Sequence, residues 1–167
     1  MFLLLVLLVS CGGRGPQMPS RRMGEDPKLD SAQMALLELN RRMRTEADKE
    51  LQVLSQSDTT ERYALYRWGA WAHIIEYGND EVPRPKLGQR CDIHMRVYDL
   101  KGKLYSDEEL TVQLGRRDVP VAVDWNLQEW NHGAKVKMFV PWYSAYGLEG
   151  KNAIPPYENV MILLDVK

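Results

Sequence analysis

Few residues in this chain are spaced for bond-breaking chemistry. His73, His94 and His132 lack metal-ligand spacing with cysteines or carboxylates. There is no Gly-x-Ser-x-Gly and no phosphate loop. Gly12-Gly13-Arg14-Gly15 has no following Lys-Ser/Thr and no preceding strand, so it reads as a spacer. The informative residues lie near the C-terminus. Ser144-Ala145-Tyr146-Gly147 is followed by Ala153-Ile154-Pro155-Pro156-Tyr157-Glu158-Asn159 and an alternating apolar end, Val160-Met161-Ile162-Leu163-Leu164. An aromatic-glycine turn is weak alone, and so is Ile-Pro-Pro before a last strand. Their order and distance from the chain end make the pair specific. The chemistry on offer is a phenol among apolar groups, and a tyrosine hydroxyl held in a wall needs a partner.

The elements that would position these residues show in the periodicity. Cys91, Ile93, Met95 and Val97 alternate with Asp92, His94 and Arg96, which predicts a half-buried strand. Leu110, Val112 and Leu114 predict another, as do Val136, Met138 and Val140, and Val160, Ile162, Leu164 and Val166. Between them, Asp118 is placed to cap a short helix with Pro120 in its first turn. Val119, Val123, Leu127 and Trp130 give that helix one apolar face, and Gly133 is placed to end it. Upstream, Asp30-Ser31-Ala32-Gln33 has the form of a capping box. Leu36, Leu39, Met43, Ala47, Leu51 and Leu54 then recur at three- or four-residue spacing. They predict an amphipathic helix over 31–57 whose stripe must bury against its own domain or a second copy. Several antiparallel strands with one short helix make an α+β domain over 62–167.

With 167 residues and a net charge of −1, the chain has room for one domain plus an extension, and its charge points to no nucleic-acid partner. At the N-terminus, Phe2 to Val9 is an unbroken apolar run, too short to span a bilayer and suited to a signal-peptide core, although no Lys or Arg precedes it. It runs into Leu8-Val9-Ser10-Cys11, which resembles the lipobox of bacterial lipoproteins. That resemblance implies cleavage before Cys11, acylation of Cys11, and a lipid-anchored protein at the cell envelope, on the outer membrane facing the periplasm. Several acyl chains anchor far more firmly than one. The alternative is an ordinary secretory signal with a chance cysteine. Residues 1–10 are then the signal and 11–30 a tether rich in Gly, Pro, Arg and Ser, whose Arg14, Arg21 and Arg22 read as solvated. Cys91, the second cysteine, reads as a small hydrophobe on a strand face; a Cys11–Cys91 disulfide is the alternative.

From Tyr63 to Lys167 the chain resembles FKBP-type peptidyl-prolyl cis/trans isomerases. The resemblance is carried by Pro83 to Pro85, Gly88-Gln89-Arg90-Cys91-Asp92-Ile93-His94-Met95 and Lys101-Gly102-Lys103-Leu104-Tyr105. It continues through Leu114-Gly115-Arg116-Arg117-Asp118-Val119 and Gly133, to Ala145-Tyr146-Gly147 and Ile154-Pro155-Pro156. It implies a curved antiparallel sheet wrapped around one short helix, preceded here by the amphipathic helix. It implies isomerisation of Xaa–Pro bonds, with Pro-containing polypeptides as substrates and no cofactor or metal, assisting the folding of exported proteins. Carried over position by position, it implies a pocket wall of Tyr105, Val119, Tyr146, Ile154 and Ile162. Met95, Ser106, Val123 and Ala145 stand at further substrate-contacting positions.

Several of these positions depart from the family. Met95 stands for a tyrosine, Ser106 for an aspartate, and Val123, in a gapless alignment, for the tryptophan of the pocket floor. Trp125 and Trp130 lie nearby. Pro120 has no N–H where the family offers one to substrate. A one-residue shift gives that role to Val119. These departures imply weaker catalysis, or a binding module for Pro-containing or unfolded segments. A third reading is an envelope assembly lipoprotein. Secreted relatives dimerise through N-terminal helices, so a dimer through residues 31–57 is a further expectation.

Overall fold

The computed structural model describes residues 30–167; the signal segment, Cys11 and nearly all of the tether lie outside the described residues. Helix α1, Ser31–Ser57, opens on the expected capping box. The Asp30 carboxylate accepts from Gln33 N at 2.7 Å, and the Gln33 side chain accepts from Asp30 N at 3.1 Å. Two short strands follow, β1 (Ala64–Leu65) and β2 (Trp71–Glu76). A long pair comes next, β3 (Arg90–Asp99) and β4 (Leu104–Gln113). The short helix α2 (Val121–Asn126), then β5 (Lys135–Val140) and β6 (Val160–Val166), complete the chain. The strands form one antiparallel sheet in the order β1-β2-β5-β6-β3-β4.

The two-residue period decides which face is buried. On β3, Cys91, Ile93, Met95 and Val97 are buried. Their cross-strand neighbours on β6 are apolar as well: Ile93 faces Val166, Met95 faces Leu164 and Val97 faces Ile162. On β5, Val136, Met138 and Val140 face Leu164, Ile162 and Val160 of β6. This layer meets Val119, Ala122, Val123, Leu127 and Trp130 from α2 and its flanks, all buried in the same core. The opposite face is mixed: Phe139, 6 % exposed, pairs with Trp71 of β2 and Met161 of β6, whereas the β3 side is polar. There His94 lies 2.5 Å from Asp107 and 3.4 Å from Asp165.

The start of α2 differs from expectation. Asp118 does not cap it; Pro120 occupies the N-cap position, and Asp118 instead accepts from Gln113 N at 3.3 Å. The acid that holds this corner is Asp124, buried inside the helix. Its two oxygens accept from Gly115 N at 2.8 Å and Arg117 N at 3.1 Å, fixing the turn that delivers Val119. The regular helix also stops short of Gly133. Asn126 donates to the Ala122 carbonyl at 2.7 Å and to the Arg67 carbonyl at 3.1 Å, and a 3-10 turn over Leu127–Glu129 follows.

The stripe of α1 is buried only along its second half. Ala47 and Leu51 are buried and Met43 and Leu54 half-buried, whereas Leu36 is 54 % and Leu39 50 % exposed. The elements facing α1 are β2, β5 and the 3-10 turn Trp142–Ser144, and they reach only its later turns. Polar contacts fix the docking. Trp142 Nε1 donates to the Met43 carbonyl at 3.4 Å, Asn159 Nδ2 donates to Glu50 at 2.8 Å, and the Arg44 guanidinium sits 4.3 Å from the Tyr143 ring centre.

Candidate active site

A cleft opens between the inner end of β4, the turn before α2 and the loop after Tyr146. Its volume is about 160 Å³. β3 and β4 supply Met95, Tyr105, Ser106, Glu108 and Leu110; the turn supplies Asp118, Val119 and Pro120; the loop supplies Tyr146, Lys151, Asn152, Ala153 and Ile154. A shallower lobe continues past Arg117, Val121 and Ala145, sharing Asp118, Val119, Pro120, Tyr146 and Lys151.

The loop is held by its own backbone. Gly147 N donates to the Trp142 carbonyl at 2.8 Å, and Gly147 adopts φ +70°, which reverses the chain straight after Tyr146. Lys151 and Ile154 exchange backbone hydrogen bonds at 3.0 and 2.9 Å. Gly150 permits this closure, since a Cβ there would lie 2.3 Å from the Ile154 carbonyl oxygen. Ile154 is thereby pressed into the cleft wall with only 6 % of its surface exposed.

Of the residues expected in the wall, the structure brings Tyr105, Val119, Tyr146 and Ile154 together, with Met95 and Ser106 beside them and Ala145 in the adjoining lobe. Ile162 and Val123 are not brought to it. Both are fully buried in the core, Ile162 between Val97 and Met138 on the central strands, and Val123 on the inward face of α2. The lining holds the Met95 thioether and the aliphatic Leu110, Val119 and Ile154, with no indole. Glu108, Leu110, Asp118, Lys151 and Asn152 were not expected. The signal for Glu108 and Leu110 was the strand period, which puts both on the inner face once β4 is known to start at Leu104. Lys151 and Asn152 carry no such signal, because their place depends on the folded loop.

Two hydrogen-bond donors are unspent. Among the described residues, neither the Tyr146 hydroxyl nor the Val119 N–H has a protein acceptor. Burial, followed by the nearby Glu108 charge, pushes the Tyr146 pKa up to about 12, so the phenol keeps its proton at neutral pH. Tyr105 is different: its hydroxyl donates to Glu158 at 3.3 Å. Lost hydration and the Glu158 charge raise its pKa too. Among the described residues no group of three His, Cys, Asp or Glu is placed to hold a metal ion.

The family model described as FKBP-type peptidyl-prolyl cis-trans isomerase matches residues 82–166. No curated protein matches the chain. Among solved structures, the peptidyl-prolyl cis-trans isomerase from Pseudomonas syringae pv. tomato str. DC3000 is similar, with a TM-score of 0.62 at 18 % identity. The match covers 72 % of this chain and 89 % of that one. At that identity it speaks for the fold alone, which is the curved sheet and short helix described above.

Proposed function

The chain belongs to the FKBP-type peptidyl-prolyl cis-trans isomerase family, and from that premise we propose that the cleft around Tyr146 is where it turns Xaa–Pro bonds of exported polypeptides. Isomerisation of such bonds is the activity of the family, and no covalent step is needed for it. Rotation faces a barrier of about 18–20 kcal/mol because the planar amide is resonance-stabilised. Twisting removes that resonance and leaves a less polar carbonyl. A water-excluding wall therefore favours the twisted form over the planar one, which is differential transition-state binding.

Each group has a part in this reading. Met95, Leu110, Val119 and Ile154 replace water around the prolyl ring. The Tyr146 hydroxyl and the Val119 N–H donate to backbone carbonyls of the substrate and orient it. Pro120, which has no N–H, does not obstruct this role, since Val119 is a donor one residue earlier. The observation that carries the reading is the unspent Tyr146 hydroxyl in a cleft that it shares with Met95, Leu110, Val119 and Ile154.

The site of action in this proposal is the cell envelope, through a lipid on Cys11. Support comes from the apolar Phe2–Val9 run, the Leu8-Val9-Ser10-Cys11 motif and the burial of the second cysteine, Cys91, at 3 % exposure. The exposed first turns of α1, with Met34, Leu36, Leu37 and Leu39, offer a face for a second copy of the chain. The test of the activity is NMR exchange or a protease-coupled assay on Xaa–Pro peptides, comparing wild type with Tyr146→Ala. Accelerated exchange that drops in the variant, with the sheet intact by circular dichroism, is the expected result. Exchange at the uncatalysed rate in wild type would overturn the activity at this cleft.

A further inference from the structure

We propose that the cleft selects Xaa–Pro segments with a Lys or Arg beside the proline, and that Glu108 is the residue that sets this preference. The inference rests on the isomerase reading of the same cleft. The inner row of β4 runs Ser106, Glu108, Leu110, Val112, opposite Val97, Met95, Ile93 and Cys91 of β3. The row is apolar and buried only at Val112; toward the cleft it turns polar and more open at Ser106 and Glu108, with Glu108 exposed. Its partner Met95 is 4 % exposed, and both line the cleft. The neighbouring acids point the other way and are paired, Asp107 with His94 and Glu109 with Lys167 at 2.6 Å. Among the described residues no ion pair or side-chain hydrogen bond engages Glu108.

The charge is positioned to be felt by a ligand. Its field reaches the Tyr146 hydroxyl, where it helps to hold the proton. The same part of the cleft contains a second carboxylate, Asp118, only loosely paired with Arg116 at 3.9 Å, and one amine, Lys151. Asp118 has Arg116 as its partner and, like Lys151, also lines the adjoining lobe beside Arg117, which leaves Glu108 as the carboxylate of this wall with no cation paired to it. A cationic side chain next to the proline would therefore meet an unpartnered anion on the β4 wall. Rotation about the Xaa–Pro bond leaves that charge unchanged, so ground state and transition state gain alike. The preference should appear in KM and in affinity, and little in kcat.

The test uses the full chain and two peptide series, with Lys, Leu or Glu placed before or after one proline. Affinity is read by NMR titration and turnover by exchange. In at least one series, Lys should be favoured over Glu by roughly three- to tenfold at low ionic strength. The gap should shrink at about 0.5 M salt. Glu108→Gln should bring the ratio toward one, and Glu108→Lys should invert it. Equal affinities in both series, or a ratio untouched by Glu108→Gln, would overturn the proposal. So would self-association of Glu108→Gln with the ratio unchanged, because the charge would then only guard the edge of β4. Failure to exchange any peptide would sink the isomerase reading instead, and the affinity ratio would still decide the role of Glu108.

Discussion

At the scale of single residues, Tyr146 and Val123 make opposite demands on experiment. Tyr146→Phe keeps the ring and removes the donor; a hydrogen bond is worth about 0.5–1.5 kcal/mol net, so kcat/KM should fall roughly two- to tenfold. The ordinary tyrosine pKa is about 10, and in the folded chain it is pushed up to about 12. A raised phenol pKa means that the folded state holds its proton longer than the unfolded chain. The associated stability is therefore fully present below about pH 10 and is lost as pH rises through about 12. The wild-type to Tyr146→Phe rate ratio should accordingly stay flat from about pH 6 to about pH 10. A ratio that collapses near neutrality would show an early-ionising phenol and contradict its burial. Val123 stands where a gapless alignment puts an aromatic floor, but it has no exposed surface and does not line the cleft. Val123→Trp should therefore overpack the core, costing about 1–3 kcal/mol in a denaturant melt, without a gain in turnover. Sequence reasoning reached Tyr105, Val119, Tyr146 and Ile154 because turn and loop motifs mark them. The family resemblance put Ile162 in the wall and Val123 at its floor, because position-by-position carry-over cannot separate a cleft lining from the core one layer behind it.

At the scale of elements, α1 shows what periodicity does and does not tell. Its start was legible in Asp30 and Gln33, whose reciprocal bonds form as the pattern requires. Its apolar face was legible too. The length of the surface it packs against was not, because that surface is assembled from β2, β5 and the turn at Trp142, which are remote in sequence. The consequence is a gradient along one helix. Leu51 has no exposed surface, and Leu51→Ala should cost about 2–5 kcal/mol. Leu39 is half exposed, so Leu39→Asp should leave the monomer's melting temperature nearly unchanged. Light scattering on the same Leu39→Asp variant tests the dimer separately: a mass that halves relative to wild type supports pairing through the first turns of α1. Equal masses would reject it. The corner before α2 was half legible. Asp118 has the right type for a cap, but Asp124 ties down Gly115 and Arg117 from inside the helix, a long-range bond that no local pattern announces.

At the scale of the whole molecule, the question is how a nearly neutral isomerase would reach exported substrates. None of the helices described is long and apolar enough to cross a membrane, and the proposal puts membrane retention on Cys11. A folded domain docked to its own helix needs no further support from the anchor. Removing the anchor should therefore change location without changing catalysis. The domain's remaining cysteine, Cys91, faces the core, where burial raises its thiol pKa and keeps it a poor nucleophile. It is thus unsuited to replace Cys11 as an acylation site. Cys11→Ala, expressed in a Gram-negative host, should lose incorporation of labelled fatty acid and move from the membrane to the soluble envelope fraction. The released protein should turn over the same peptides at the wild-type rate, since the cleft lies wholly within residues 95–154. A variant that stays membrane-bound with unchanged processing would mean that some other feature holds the chain there. A variant that is released but inactive would mean that the N-terminal segment contributes to the cleft as well as to its address.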